Sequence, residues 1–284
     1  MTASLGPVNS RKPVDTAHRG RESRVTMDGA SAQALDAAAR TLVEARHAIA
    51  LTGAGLSVES GIPPFRGPGG LWTKHGEPPM NGYQQFLKDP RRAWEERLSP
   101  SGPMRELWDA LRAARPNPGH AALAELEAFG VLKALITQNV DNLHRLAGST
   151  RLLEIHGNAT LIRCVQCVTR FGRDEIDLVV LPPHCPRCEG LLKSDTVSFG
   201  EPIPADVLDE CFAESEFADC MIVAGTSATV FPAAQFPISI RQRGGDLIEV
   251  TPYESEITAL CAHRLRGTAA DTLPALVARV RELL

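Results

Sequence analysis

No stretch of this chain is apolar for the roughly 20 consecutive residues that a membrane-crossing helix needs, which excludes a spanning segment of that kind. The opening residues also lack the apolar core, roughly 7–15 residues long, of a secretory signal. There is no basic excess: 34 acidic against 30 basic side chains leave a formal net charge of −4. Nonspecific nucleic-acid binding calls for a basic surface, and this balance gives no sign of one. A disulfide framework is missing too. Four of the seven cysteines fall as two C-x-x-C pairs, while Cys211, Cys220 and Cys261 stand alone. That usage fits a reduced cytoplasmic setting with one metal site. The three lone thiols read as small buried core residues.

What is present is ordinary globular material. The 284 residues are 43% hydrophobic and 23% charged, enough for one large domain or two modest ones. Residues 1–30 hold Pro, Ser, Gly and Arg with no hydrophobic period and are expected to be disordered. Pro7 and Pro13 interrupt any amphipathic transit helix there, and Met27 reads as an alternative start. Beyond it, helix and strand patterns alternate. Leu35, Ala38, Leu42 and Val43 share a helical face, and AIALT (48–52) reads as a buried strand. A helix at 121–129, ended by Gly130, leads into a strand at 131–137. Further strands are expected at 152–156, 219–225 and 246–250, with a closing amphipathic helix at 272–284. Short apolar strands separated by helices indicate an α/β fold, a parallel sheet covered on both faces, whose strand order is not readable. The stretches 65–116 and 160–196 break the alternation and read as insertions forming a second, smaller domain.

Several segments carry chemistry. Cys164-x-x-Cys167 and Cys185-x-x-Cys188, with 17 residues between the pairs, have zinc-ribbon spacing. Four protein thiolates leave no open position, so such a metal is structural. Taken alone, a ribbon would indicate a binding module. The run TGAGLSVESGIPPFRGPGGLW (52–72) follows a strand with Gly53-Ala54-Gly55, which can place bare backbone N–H groups against a phosphate, although it is not G-x-G-x-x-G. TQNVDNLH (137–144) follows the next strand, where Gln138, Asn139 and Asp141 would point hydrogen-bonding groups into a crevice. A plain helix-capping loop is the other reading of that segment. His156, followed by Gly157, can serve as a general base at neutral pH or be an ordinary capping histidine. SFGEPIP (198–204) and GTSATVFPAA (225–234) are further loops after apolar stretches.

Together these motifs, in this order from about residue 33 to the end, resemble the sirtuin family of NAD-dependent protein lysine deacylases. The resemblance implies a doubly wound, Rossmann-like NAD domain made of 31–64, 117–159 and 197–284. It implies a small domain made of the helical insertion 65–116 and the zinc ribbon 160–196. By match, Gly53, Ala54 and Gly55 meet the pyrophosphate, and Phe65 and Arg66 belong to a loop over the nicotinamide ribose. Gln138 reaches ribose, Asn139, Val140 and Asp141 form the nicotinamide pocket, and Gly225, Thr226 and Ser227 bind the adenosine side. Ser57, Pro63, Trp72 and Thr251 are further cofactor positions. His156 and Asn139 are the catalytic pair, and the four paired cysteines hold one structural zinc. An acyl-lysine peptide is expected to add as a strand between Val197–Gly200 and 229–232, against Val197, Phe199, Gly200, Glu201 and Val230. No nucleic-acid or membrane partner is implied. A mono-ADP-ribosyltransferase on the same scaffold is the nearest rival. The chain departs from the family at Ser194-Asp195, where Arg-Pro is usual, and at Thr251, where Asn is usual. The Tyr/Arg pair of members that remove dicarboxylic acyl groups is replaced by Arg97 and Pro100, so acetyl or longer apolar acyl groups are expected.

Overall fold

The apolar segment Ala48–Thr52 is buried along its whole length, as a strand covered on both faces must be. The structure is a computed structural model that describes residues 31–284, so the expectations for residues 1–30 lie outside the described residues. The chain opens with α1 (Ala32–Glu44) and β1 (Ala48–Thr52), followed by a 3₁₀ helix over Ala54–Ser60. The 65–116 stretch folds as α2 (Leu71–His75), α3 (Gly82–Lys88), α4 (Pro90–Leu98) and α5 (Gly102–Ala113). Next come α6 (Pro118–Ala128), β2 (Leu132–Thr137), α7 (Leu143–Leu146) and β3 (Leu152–Glu154). The cysteine-bearing stretch supplies β4 (Leu161–Cys164), β5 (Arg170–Gly172) and β6 (Leu192–Ser194). The chain then returns through α8 (Ala205–Phe217), β7 (Cys220–Ala224), α9 (Gln235–Gln242), β8 (Asp246–Val250), β9 (His263–Leu265) and α10 (Ala269–Leu283).

Strand order in the large sheet is β3-β2-β1-β7-β8-β9, with every pairing parallel. The chain builds outward from β1 to β3, then crosses to β7 and builds the other way. The gap between β1 and β7 is therefore the switch point, where crevices open at the carboxyl ends of strands. Side chains alternate across the sheet with period two. Ala48, Ala50, Ile222 and Ala224 pack under α1, α6 and α10, whereas Ile49, Leu51, Met221 and Val223 pack under α8 and α9. The sheet is thus wound on both sides.

Capping shifts the ends of elements from where apolar periodicity places them. Asn117 accepts from the N–H groups of Gly119 and His120 with Pro118 at the first position, so α6 begins three residues before the expected 121. Gly130, at φ +73°, ends it as anticipated. Thr268 accepts from Asp271 N–H and starts α10 at Ala269. β3 stops at Glu154, whose carbonyl accepts from Gly157 N–H, so His156 sits in a turn beyond the strand.

A second sheet, β5-β4-β6, is antiparallel. Phe86 and Trp94 from the helical stretch pack with Ile162, Cys164, Phe171 and Leu192 from this sheet, and the Trp94 indole N–H donates to Leu192 O at 2.8 Å. The two stretches, distant in sequence, share one core. The lone Cys211, Cys220 and Cys261 are buried, and burial pushes each thiol up to about 12. No helix among the described residues is long and apolar enough to cross a membrane.

Candidate functional site

The loops after β1, β2, β7 and β8 line a cleft of about 1300 Å³, above the roughly 300–1,000 Å³ usual for small-molecule sites. Its size suits an extended ligand lying beside a second one.

At its base two loops interlock. Gly53 N–H donates to Ala224 O at 3.1 Å and Gly55 N–H to Gly225 O at 2.7 Å. These two amides are therefore already taken, which corrects the expectation that they stand bare for a phosphate. Glycine is required here for close approach: a Cβ on Gly55 would lie 2.8 Å from Gly225 Cα, and one on Gly225, at φ +63°, would lie 2.2 Å from Leu56 N. Gly53, Ala54 and Gly55 all line the cleft, with Gly225, Thr226 and Ser227 opposite.

A polar network stands behind this wall. The Asn139 amide donates to Gly53 O and to Ser57 Oγ, both at 3.1 Å, which leaves its Oδ1 as the group it can present to the cleft. Ser57 Oγ in turn donates to Asp141 Oδ2 at 2.6 Å, and Asp141 Oδ1 accepts from Leu143 N–H. Burial raises the Asp141 carboxyl above the usual carboxylate range, opposed by the bonds from Ser57 and Leu143. Gln138, Asn139 and Val140 line the cleft, whereas Ser57, Pro63 and Asp141 do not, Ser57 and Asp141 being bonded to each other behind it. The physical reason is the 3₁₀ turn after Gly53, which rotates Ser57 inward until it is almost fully buried. Gln138 Nε2 donates to Thr226 Oγ1 at 2.9 Å and bridges the loops after β2 and β7.

His156 lines the cleft with its Nδ1 3.1 Å from Gln138 O. A carbonyl can only accept, so Nδ1 carries the proton and Nε2 keeps its lone pair. Burial lowers the imidazole below its usual value, partly offset by that carbonyl. The ring is neutral and basic at the free nitrogen. His156 O also accepts from Val197 N–H at 2.8 Å, which ties the turn to the segment 196–200.

Over the cleft mouth, Phe65 packs on Trp72 at 4.8 Å and Trp72 on Phe199 at 5.7 Å between ring centroids. Arg66 lies 4.4 Å over the Trp72 ring and pairs with Glu77. Val197, Phe199, Gly200, Glu201 and Val230 all line the cleft, as does Thr251, whose Oγ1 accepts from Tyr253 N–H at 3.3 Å. The Glu201 carboxylate is engaged by Arg163 and Lys193. Sequence reading missed one apolar wall. Met104, Leu107, Trp108 and Leu111, spaced i, i+3, i+4, i+7 on α5, all face the cleft, a helical stripe that the Pro- and Arg-rich surroundings obscured. Arg97 Nη2 donates to Ala159 O at 2.7 Å and its guanidinium lies 4.4 Å over Trp108. Burial, with Arg173 nearby, lowers Arg97 to about 10.

The Cys164, Cys167, Cys185 and Cys188 sulfurs converge within 4.8 Å of one another and could hold a metal ion. Gln166 N–H and Arg187 N–H donate to Cys164 Sγ and Cys185 Sγ, each at 3.4 Å.

Fold and cleft together define a doubly wound α/β protein with a dinucleotide-sized crevice and a helical unit carrying a four-cysteine cluster. Residues 53–232 match the model of the Sir2 family. The chain is 43% identical over 250 residues to the NAD-dependent protein deacylase 1 of Archaeoglobus fulgidus, covering 86% of this chain and 97% of that one. It is 45% identical over 253 residues to the NAD-dependent protein deacylase of Thermococcus kodakarensis, covering 87% and 96%. Among solved structures, a Sir2 homologue in complex with NAD is similar at TM-score 0.73 and 42% identity, covering 87% of this chain and 94% of that one. A Sir2 complex with a p53 peptide and NAD+ is similar at TM-score 0.67 and 32% identity, covering 86% and 95%. The chain belongs to the Sir2 family.

The half-buried His156 generates a prediction. Its imidazole should titrate below the ordinary 6.5, because the folded site disfavours the charged form. Unfolded imidazole takes up a proton near pH 6.5 that the folded ring refuses, so this group withdraws stability as pH falls through that value. An NMR titration of the His156 ring checks it, and a midpoint at or above 6.5 contradicts it.

Proposed function

We infer that the chain is an NAD-dependent protein deacylase, transferring the acyl group of a modified lysine to ADP-ribose and releasing nicotinamide and O-acyl-ADP-ribose. The observation that carries this reading is the neutral His156 with an unprotonated Nε2 in the cleft of a Sir2-family chain. NAD is consumed as a substrate. The Gly53–Gly55 loop flanks the pyrophosphate, Gln138 the ribose, and Gly225, Thr226 and Ser227 the adenosine side, with Thr251 at its end. Asn139 and Val140 form the nicotinamide pocket. Asp141 acts from behind, through Ser57, to hold the Asn139 carboxamide in orientation. Phe65, Arg66 and Trp72 close over the mouth.

The acyl oxygen of the substrate lysine attacks C1′ of the ribose as the bond to nicotinamide breaks. His156 Nε2 then accepts a proton from a ribose hydroxyl, whose oxygen bonds the acyl carbon. The imidazolium returns a proton to the lysine nitrogen as its bond to that carbon breaks, and one water opens the remaining cyclic acyl-ribose to O-acyl-ADP-ribose. Gln138 O holds the opposite nitrogen and stabilises the imidazolium that forms. The acyl-lysine peptide lies along Val197–Gly200, with Val230 on the facing segment. In this arrangement residues 31–64, 117–159 and 197–284 bind NAD, and 65–116 with 160–196 form the small domain.

The cysteine cluster fits zinc. Four thiolates at about 2.3 Å from one ion in a tetrahedron lie about 3.8 Å apart. The Cys164–Cys188 and Cys167–Cys185 sulfurs are 3.5 Å and 3.7 Å apart. With four protein ligands the ion is structural and enters no chemical step.

Two outcomes are expected. His156→Ala should keep NAD binding and lose turnover by about 100-fold or more, the lower range for removing a general base. Wild-type turnover in that variant removes His156 from the chemistry. Cys164→Ala should release metal and unfold the second sheet, since structural zinc supplies about 10–16 kcal/mol in small sites against a typical margin of about 5–15 kcal/mol. Elemental analysis with thermal melting checks this, and a metal-free variant that melts like wild type contradicts it.

A further inference from the structure

Five charged side chains form one network under the segment that lines the peptide side of the cleft. Arg163, on β4, places Nε 2.8 Å from Asp195 Oδ1 and Nη2 2.7 Å from Glu201 Oε1. Lys193, on β6, places Nζ 3.0 Å from Glu201 Oε2. Arg170, on β5, closes on the second oxygen of Asp195 at 2.9 Å. The side chains of Arg163, Lys193, Asp195 and Glu201 are each 5% exposed or less. The Asp195 carboxylate is the inner anion that two arginines share.

The network's polar ends hold backbone. Lys193 Nζ donates to Thr196 O at 2.6 Å, Ser198 N–H donates to Glu201 Oε2 at 2.8 Å, and between them Val197 N–H donates to His156 O. Thr196, Val197 and Ser198 all line the cleft, yet they belong to no strand and pair with no sheet. Their position is set by two charge-assisted bonds and one carbonyl, where a sheet edge would use a ladder. Charged anchors of this kind are directional. Losing Lys193 leaves Glu201 with Arg163 alone, and losing Glu201 leaves Lys193 buried with only carbonyls as partners, so the segment moves when either is removed.

We propose that Lys193 and Glu201 are positioning residues for the peptide substrate: as a pair they fix the Thr196–Ser198 backbone on which the acyl-lysine peptide docks. The proposal rests on the deacylase reading and adds to it the residues that set peptide affinity. The pair touches no group of the loops after β1, β7 or β8, and the network meets the His156 turn through Asp195 rather than through Lys193 or Glu201.

The test uses the full chain with an acetyl-lysine peptide and NAD, comparing wild type with Lys193→Met, Glu201→Gln and Lys193→Arg. Lys193→Met and Glu201→Gln should each raise the peptide KM about tenfold, the effect expected of one charge-assisted bond, with kcat and the NAD KM within about twofold. Amide hydrogen exchange should quicken at 196–198 in both. Lys193→Arg should restore the peptide KM. Glu201→Gln keeps shape and decides the matter if Lys193→Met fails to fold. An active wild type whose variants keep the peptide KM, or raise both KM values alike, overturns this inference and leaves the deacylase reading intact. A folded wild type that turns over no acyl-lysine peptide overturns both.

Discussion

The cleft exists because two loops at the switch point are pressed together with no room for a side chain between them. The backbone of Gly225 occupies the space that a Cβ on Gly55 would need, and Gly53 and Gly55 spend their N–H groups on the loop opposite. That contact fixes the spacing of the β1 and β7 ends. Gln138 then spans the same gap by reaching Thr226, and Asn139 is held by Gly53 O and Ser57. His156 takes its tautomer from the Gln138 carbonyl. Each functional group is thus oriented by backbone whose position follows from one glycine contact, the kind of rigid support that keeps a reacting group in place without reorganisation.

The second unit is coupled to the first by a different physics. Its core is apolar, Trp94 and Phe86 against the β4 and β6 side chains, but its junction with the cleft is a set of buried charges. Gly157 marks that junction: its Cα lies so close to Asp195 O that any Cβ would collide, so the turn carrying His156 packs directly on the charge network. Apolar packing tolerates small slides, whereas paired charges out of water do not. The 196–198 segment of the cleft wall, which lacks sheet partners, gains its definition from that stiffness.

The parts of this arrangement that the sequence discloses are those carried by local pattern. The strand at 48–52, the glycine ending α6, the two C-x-x-C pairs and the segment of Gln138 and Asn139 all rest on neighbours within a few residues. Strand order was not legible, because nothing local shows that β7 rather than β3 lies beside β1 on the side away from β2. The inward turn of Ser57 depends on a 3₁₀ helix that the GAGLS string does not announce. The charge network joins Arg163 to Asp195 and Glu201, 32 and 38 residues away, beyond the reach of any local pattern. The α5 stripe has a helical period, but it follows Pro100 and Pro103 and is interrupted by charged side chains, so no local signal ties it to the cleft.

Deacylation by this protein consumes the acyl group and NAD in one coupled event. Incubating the protein with NAD and an acetyl-lysine peptide, then quantifying every product by mass spectrometry, tests it most directly. Coupling requires free-lysine peptide, nicotinamide and O-acetyl-ADP-ribose in equal amounts, with no free acetate formed in the absence of NAD. Nicotinamide release accompanied by ADP-ribose on a peptide that keeps its acetyl group would contradict it and assign the cleft to ADP-ribosyl transfer.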